Sequence, residues 1–263
     1  MIDLSGKALV VVGGTTGLGL SGARSCIAAG GRVIAIGRNP ESCAAAEAAL
    51  ESAARVMNAD ACEPNTVERA IERCLAEFGA FHGLYHVAGG SGRRFGDGPL
   101  HELTDEGWEQ TLNLNLTSQM RSNRAAVRQF LAQGTGGAIL NMGSVLGWSP
   151  SPHYFATHAY AAAKAAIIGF SKSLAAHYAA NDIRVNVIAP ALVETPMARR
   201  AAGDEEILRF IKTKQPLDGG RIGRPEDLDA AVVFLLSDAA RYCTGQVLAI
   251  DGGWEVSEGQ LEG

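Results

Sequence analysis

Short runs of apolar, often β-branched residues alternate along this chain with longer stretches in which apolar positions recur at helical spacing. Strands are predicted at Ala8–Val12 and at residues 32–36, 55–57, 83–87, 138–142, 184–188 and 246–250. Several of these, such as Ala-Leu-Val-Val-Val at 8–12, are apolar at every position. A strand that alternates apolar and polar residues has one wet face, whereas an unbroken apolar run is the mark of burial on both faces. Between the strands, residues 41–53, Thr66–Phe78 and 108–131 are rich in Ala, Leu, Glu and Arg and read as helices. Regular strand–helix alternation predicts an α/β fold, a doubly wound and mostly parallel seven-stranded sheet with helices on both faces.

Glycine and proline punctuate the same pattern. Gly30-Gly31 closes a helix before the second strand. Pro64 and Pro225 stand at helix starts, where a missing N–H costs little. No linker, low-complexity tract or repeat interrupts the alternation, so residues 1–263 read as one domain. Two stretches read as irregular and longer than a simple connection needs, 89–100 and 189–223. Both follow strands, so both border the crevice beyond the carboxyl ends of the sheet, where ligands of such folds sit. The second is read as a substrate lid over about 191–222.

Composition narrows the function classes. A net charge of −5 and a pI near 5.7 give no basic footprint for nucleic acid. No run of ~18 apolar residues predicts a membrane span, and the first residues show no long apolar leader. The five cysteines form no CxxC pair, so neither a disulfide framework nor a zinc site is expected, and a reducing cytoplasm is the natural compartment. Six histidines (82, 86, 101, 153, 158 and 177) form no HExxH pattern, and no metal is expected.

The first strand runs into Gly13-Gly14-Thr15-Thr16-Gly17-Leu18-Gly19 and then a helix. Glycines here let the backbone turn tightly and approach a pyrophosphate at a helix N-terminus, where free N–H groups and the dipole favour an anion. The strand before and the helix after support a dinucleotide site over a bare turn. The second strand ends Ile36-Gly37-Arg38. An NAD enzyme usually places an acid there for the ribose 2′-OH. Gly37 takes that place and Arg38 follows, and a guanidinium suits a 2′-phosphate. The reading favours NADP(H). NAD(H) is the alternative if Arg38 stacks on adenine or faces water.

Tyr160 and Lys164 stand at i and i+4 of an Ala-rich helix and share one face. An adjacent cation favours the phenolate, and a tyrosine so tuned exchanges protons with an alcohol or carbonyl oxygen. Ser144 follows the strand at 138–142, placed to bind the same oxygen.

With these residues in view the chain resembles the short-chain dehydrogenase/reductase family over nearly its whole length. The resemblance is carried by Gly13–Gly19, Asp60 after the third strand, Ala88-Gly89 after the fourth, Asn115, Ser144, Tyr160 with Lys164, Asn186 through Pro190, Thr195, and the segments 220–227 and 244–253. It implies a Rossmann-type fold and an NAD(P)-dependent interconversion of an alcohol with a ketone or aldehyde. Tyr160 would be the general acid/base, and Lys164 would tune it and hold the nicotinamide ribose. Ser144 would orient the substrate oxygen, and Asn115 would support a water in a proton relay. Gly13, Thr15, Thr16, Gly17, Leu18, Gly19, Arg38, Asp60, Ala61, Ala88, Gly89, Pro190, Val193 and Thr195 would surround the cofactor. The resemblance also implies a homotetramer or homodimer that takes a small-molecule substrate.

The departures are local. His86-Val87 replaces a usual Asn-Asn, Val12 a common threonine and Ala191 a glycine, and the Ser144–Tyr160 gap is long, with the excess falling in 148–158. Trp148, Tyr154 and Phe155 in that excess line an apolar pocket or pack under the lid. His153 and His158 read as solvent-facing. Arg93-Arg94 and Arg199-Arg200 either attract an anionic substrate or form a solvated face. Two other functions compete: a 3-oxoacyl-carrier-protein reductase using the same groups, and a catalytically silent nucleotide-binding regulator. The full set of four polar groups argues against the second.

Overall fold

The computed structural model describes residues 2–259; Met1 and 260–263, the ends of the domain as read from sequence, lie outside them. Seven parallel strands form one sheet in the order β3-β2-β1-β4-β5-β6-β7. They are β1 Ala8–Val12, β2 Arg32–Gly37, β3 Ala54–Asn58, β4 Gly83–His86, β5 Gly137–Met142, β6 Ile183–Pro190 and β7 Val247–Ile250. The helices are α1 Gly17–Ala28, α2 Pro40–Leu50, α3 Thr66–Phe78, α4 Asp105–Leu112, α5 Ser118–Gln133, α6 His158–Tyr178, α7 Arg199–Ala202, α8 Glu205–Lys214 and α9 Asp229–Leu236. The expected doubly wound architecture is present, and every strand pair is parallel.

The apolar runs divide their side chains between two cores. Leu9 and Val11 of β1 face one side with Ala23 and Cys26 of α1 and Val232 of α9. Val10 and Val12 face the other with Ile71 and Cys74 of α3 and Phe130 of α5. Phe130 stacks on Phe81 with ring centroids 4.8 Å apart. Side chains of successive strand residues point to opposite faces, so an unbroken apolar strand feeds both layers at once.

Three segments differ from the sequence reading. The helix expected over 41–53 ends at Leu50, where Glu51 takes a left-handed φ of 56°. The helix expected over 108–131 is two helices joined by a π-turn, Asn113–Thr117. The stretch at 189–223, read as irregular, carries β6 to Pro190 and then α7 and α8. Asp204 caps α8 by accepting from the Glu206 and Ile207 N–H groups; Glu205 and Glu206 lie in its first turn and Lys212 and Lys214 in its last. Those are the charges a helix dipole favours. This cover is tied at its base: buried Gln215 accepts from the Leu192 N–H and donates to the Leu192 carbonyl, and Val193 bridges Gly223.

Strand order reverses between β1 and β4, and the loops after these two strands diverge there to open a crevice. That is where the glycine loop and Ala88-Gly89 lie.

Candidate active site

A cleft of about 860 Å³ runs along the carboxyl ends of the strands. Its cofactor half begins at the turn after β1. Gly13 has φ 84°, and a Cβ there would stand 2.7 Å from the Ala88 nitrogen. A Cβ on Gly19 would fall 2.0 Å from the Gly13 carbonyl oxygen. The loop therefore closes only with glycine at these positions. At the start of α1, Thr16 makes no side-chain cap and no acidic residue occupies the first turn. The first N–H groups of a buried helix end need acceptors. Here they border the cleft, so the donor set fits a bound pyrophosphate.

Thr15, Arg38, Asn39 and Ser42 cluster at the far end of this half. Gly37 is fully buried against the loop, and a Cβ there would meet Thr15 Oγ1 at 2.1 Å. No acidic side chain fits at 37 without moving the glycine loop. The Arg38 guanidinium is half exposed and 3.8 Å from Asp60. Asp60, Ala61, Ala88, Gly89, Pro190, Val193 and Thr195 line the same cleft. Of the residues expected around the site, Gly19 and Asn115 alone do not line it.

The other half holds the polar set. Ser144 and Tyr160 line it together; burial pushes the Tyr160 phenol above its ordinary value, and the nearby Ser144 hydroxyl partly offsets that rise. Lys164 is buried, donates to the Met142 carbonyl at 2.8 Å and lies 5.4 Å from the Tyr160 ring centre. Burial lowers its ammonium to about 7. The sequence spacing predicts a phenol lowered by the adjacent cation; in this site desolvation acts on both partners instead, raising the phenol and depressing the amine.

Asn115 sits in the π-turn and is fully buried. Its amide donates to the Thr111 and Gly90 carbonyls, both at 2.9 Å, and its Oδ1 accepts from the Gly90 N–H at 3.1 Å. The side chain ties the bulged helix to the loop after β4. π-Bulges cost regular helix hydrogen bonds and gather at functional sites. Gly89 needs to be small here, because a Cβ would stand 2.7 Å from Asn115 Oδ1 and 3.8 Å from Lys164 Nζ.

Several groups escaped the sequence reading. His86, noted only as a departure, is fully buried between Ser122 Oγ at 2.9 Å and the Ala88 carbonyl at 3.1 Å. Burial, and then the charge of Lys164, hold it at about 3, so it is neutral. Satisfying both partners assigns the proton to Nε2, which donates to Ala88, while Nδ1 accepts from Ser122. Buried Asp97 accepts the N–H groups of Ala159 and Tyr160 at 3.0 and 2.8 Å. A carboxylate 63 residues upstream thus caps the helix that carries Tyr160. Thr157, at the N-cap position itself, makes no side-chain cap. Phe155 lines the cleft, and Trp148 and Tyr154 pack against the apolar cluster that contains buried Trp254. His153 and His158 are exposed and do not line the cleft.

A family profile described as enoyl-(acyl carrier protein) reductase matches residues 12–255. The cis-4-hydroxycyclohexanecarboxylate dehydrogenase of Sinomonas cyclohexanicum is 34% identical, over 94% of this chain and 96% of its own. The 3-oxoacyl-acyl-carrier-protein reductase of Escherichia coli is 33% identical, over 96% and 98%. A short-chain type dehydrogenase/reductase from Mycobacterium ulcerans superposes with a TM-score of 0.88 and 31% identity, over 98% of this chain and 92% of that one. The chain belongs to the short-chain dehydrogenase/reductase family and is an oxidoreductase that interconverts alcohols and carbonyl compounds. Members of this family use NAD(H) or NADP(H). Among the described residues, no helix is long and apolar enough to cross a membrane.

Proposed function

We propose that the chain is an NADP(H)-preferring dehydrogenase/reductase of a small, largely apolar alcohol or ketone, with Tyr160 as the general acid/base. The observation that carries this reading is the meeting of Ser144, Tyr160 and buried Lys164, with the Lys164 ammonium 5.4 Å from the Tyr160 ring centre, in one glycine-lined cleft. The nicotinamide cofactor, when bound, supplies or accepts the hydride. In reduction Tyr160 gives its phenolic proton to the carbonyl oxygen as the alcohol forms; in oxidation it takes the hydroxyl proton. Ser144 donates to the same oxygen and stabilises the charge that builds on it. Lys164, fixed by the Met142 carbonyl, places a cation beside the phenolate and offers its remaining N–H donors to ribose hydroxyls. Asn115 holds the β4 loop against the π-turn and supports a water-mediated route for the proton to Lys164.

Arg38 supports the cofactor preference, with Thr15 and Ser42 hydroxyls beside it and no acid at 37 to repel a phosphate. The cover over 191–222 acts as the substrate lid, with its base held by Gln215. The family relatives place cyclic alcohols among the first substrates to screen. A 3-oxoacyl-carrier-protein reductase is the second reading, favoured by the Escherichia coli relative. Exposed Trp108 on α4 and Leu131 on α5 support subunit association through these helices into a homotetramer. The test is a screen of cyclic and open-chain ketones with NADPH and NADH side by side. Turnover faster with NADPH supports the reading; turnover confined to NADH overturns the cofactor assignment, and no turnover of any ketone or of the matching alcohols overturns the activity.

A further inference from the structure

The cleft has a charged end that proton transfer does not use. Arg93, in the turn after β4, and Arg200, on α7, both donate to the backbone carbonyl of Tyr154, at 3.2 and 3.0 Å. The guanidiniums come from the two long connections and converge on one oxygen. Both line the cleft, and Arg200 lies 6.0 Å over the ring of Phe155. One member of each arginine pair is thus held on the Tyr154 carbonyl. Arg94 also borders the cleft, but its guanidinium stacks on Phe95 and makes no bond to Tyr154, and Arg199 does not line the cleft.

No carboxylate neutralises these two cations. Neither forms an ion pair among the described residues. Asp97, the acid that acts on Arg93, has both oxygens committed to the N–H groups of α6. Glu206 accepts from the Tyr154 hydroxyl at 2.9 Å. Burial and the charge of Arg200 hold Arg93 below its ordinary value. Two like charges held together around one carbonyl repel, and each guanidinium carries five N–H donors, so most of their bonding capacity is left for a ligand. Beyond this end the wall is apolar, with Val145, Leu146, Phe155, Leu192, Met197 and Trp254. An apolar body with one anionic end fits such a wall.

We propose that Arg93 and Arg200 form a carboxylate-binding subsite, so that the substrate is a hydroxy acid or its oxo acid. An apolar carbon frame separates its carboxylate from the carbon that reacts at Tyr160. This substrate class rests on the oxidoreductase reading, but its test reads binding and not turnover, so the two fail separately. Protein supplied with NADP⁺ is titrated calorimetrically with cyclohexanecarboxylate and, in parallel, with cyclohexanecarboxamide, which has the same frame without the charge. The acid binds at least tenfold more tightly than the amide. Arg93→Gln and Arg200→Gln each remove that preference, and Arg199→Gln keeps it. Equal affinity for acid and amide, no binding of either, or a preference that survives in the Arg93→Gln/Arg200→Gln double variant overturns the proposal.

Discussion

The carboxylate of Asp97 accepts the backbone N–H of Tyr160 at 2.8 Å, so the loop after β4 sets the register of the helix that presents the proton donor. A local cap would stabilise α6 equally well but would not couple it to that loop. Asp97 is thus a positioning residue. Replacing an N-cap acceptor costs about 1 kcal/mol, up to ~2, and for a domain of this size a loss of that order lowers Tm by roughly 2–8 °C. Asp97→Ala should also lower kcat about tenfold or more while the dissociation constant for NADPH stays within about twofold. A fall in Tm with kcat unchanged would reduce Asp97 to a purely structural cap.

His86 should make stability fall in acid. Its folded value, about 3, lies below the ordinary 6.5. Between these two pH values the unfolded chain binds a proton that the folded chain refuses, so stability rises with pH through this window and is lost as pH falls. The slope from this one group approaches ~1.4 kcal/mol per pH unit well below 6.5. His86→Asn, which keeps a polar partner for Ser122, should lose that part of the pH dependence when denaturant unfolding is compared at pH 7.5, 6 and 5. Parallel curves for the two proteins would contradict a neutral buried His86.

Lys164 makes a second pH-dependent claim. Burial sets its ammonium at about 7, while Tyr160 stays above its ordinary value. At pH 8 much of the free enzyme therefore carries a neutral Lys164. Binding an anionic dinucleotide beside it favours recharging, so NADPH binding should take up a fraction of a proton. Calorimetry in two buffers of different ionisation enthalpy measures this uptake, which should vanish in Lys164→Met. Equal uptake in both proteins would assign the proton elsewhere.

Arg38 faces a narrower test. A hydrogen bond to a charged group contributes about 1.5–3 kcal/mol. Arg38→Ala should weaken NADPH binding by about tenfold or more and leave NADH within about threefold. An equal loss for both would place Arg38 on the adenine instead of the 2′-phosphate.

The strands and the dinucleotide loop were legible because their signals are local: unbroken apolar runs, glycine spacing, and Tyr160 four residues before Lys164. Strand ends shifted by a residue or two where caps, not hydrophobicity, decide them. The π-turn at Asn113–Thr117 left no periodic trace, because one inserted bulge hardly disturbs a helical pattern. Helix α8 was readable in its charges, with acids first and lysines last, yet flanking Gly203 and Pro216 made the stretch look irregular. The role of Asp97 could not be read at all, His86 stood out only as a departure, and the two arginine pairs read as anion-attracting or solvated with no sign that Arg93 and Arg200 meet. Each acts on a partner far along the chain, and only the sheet topology brings those partners together.

The proposed chemistry turns on Tyr160 as the group that moves the proton. The most direct measurement compares wild type with Tyr160→Phe, reading steady-state ketone reduction and NADPH affinity on the same preparations. General acid catalysis is worth about 10²–10⁴-fold, so kcat should fall by that order while NADPH affinity stays within about threefold. Turnover unimpaired in Tyr160→Phe would contradict the mechanism.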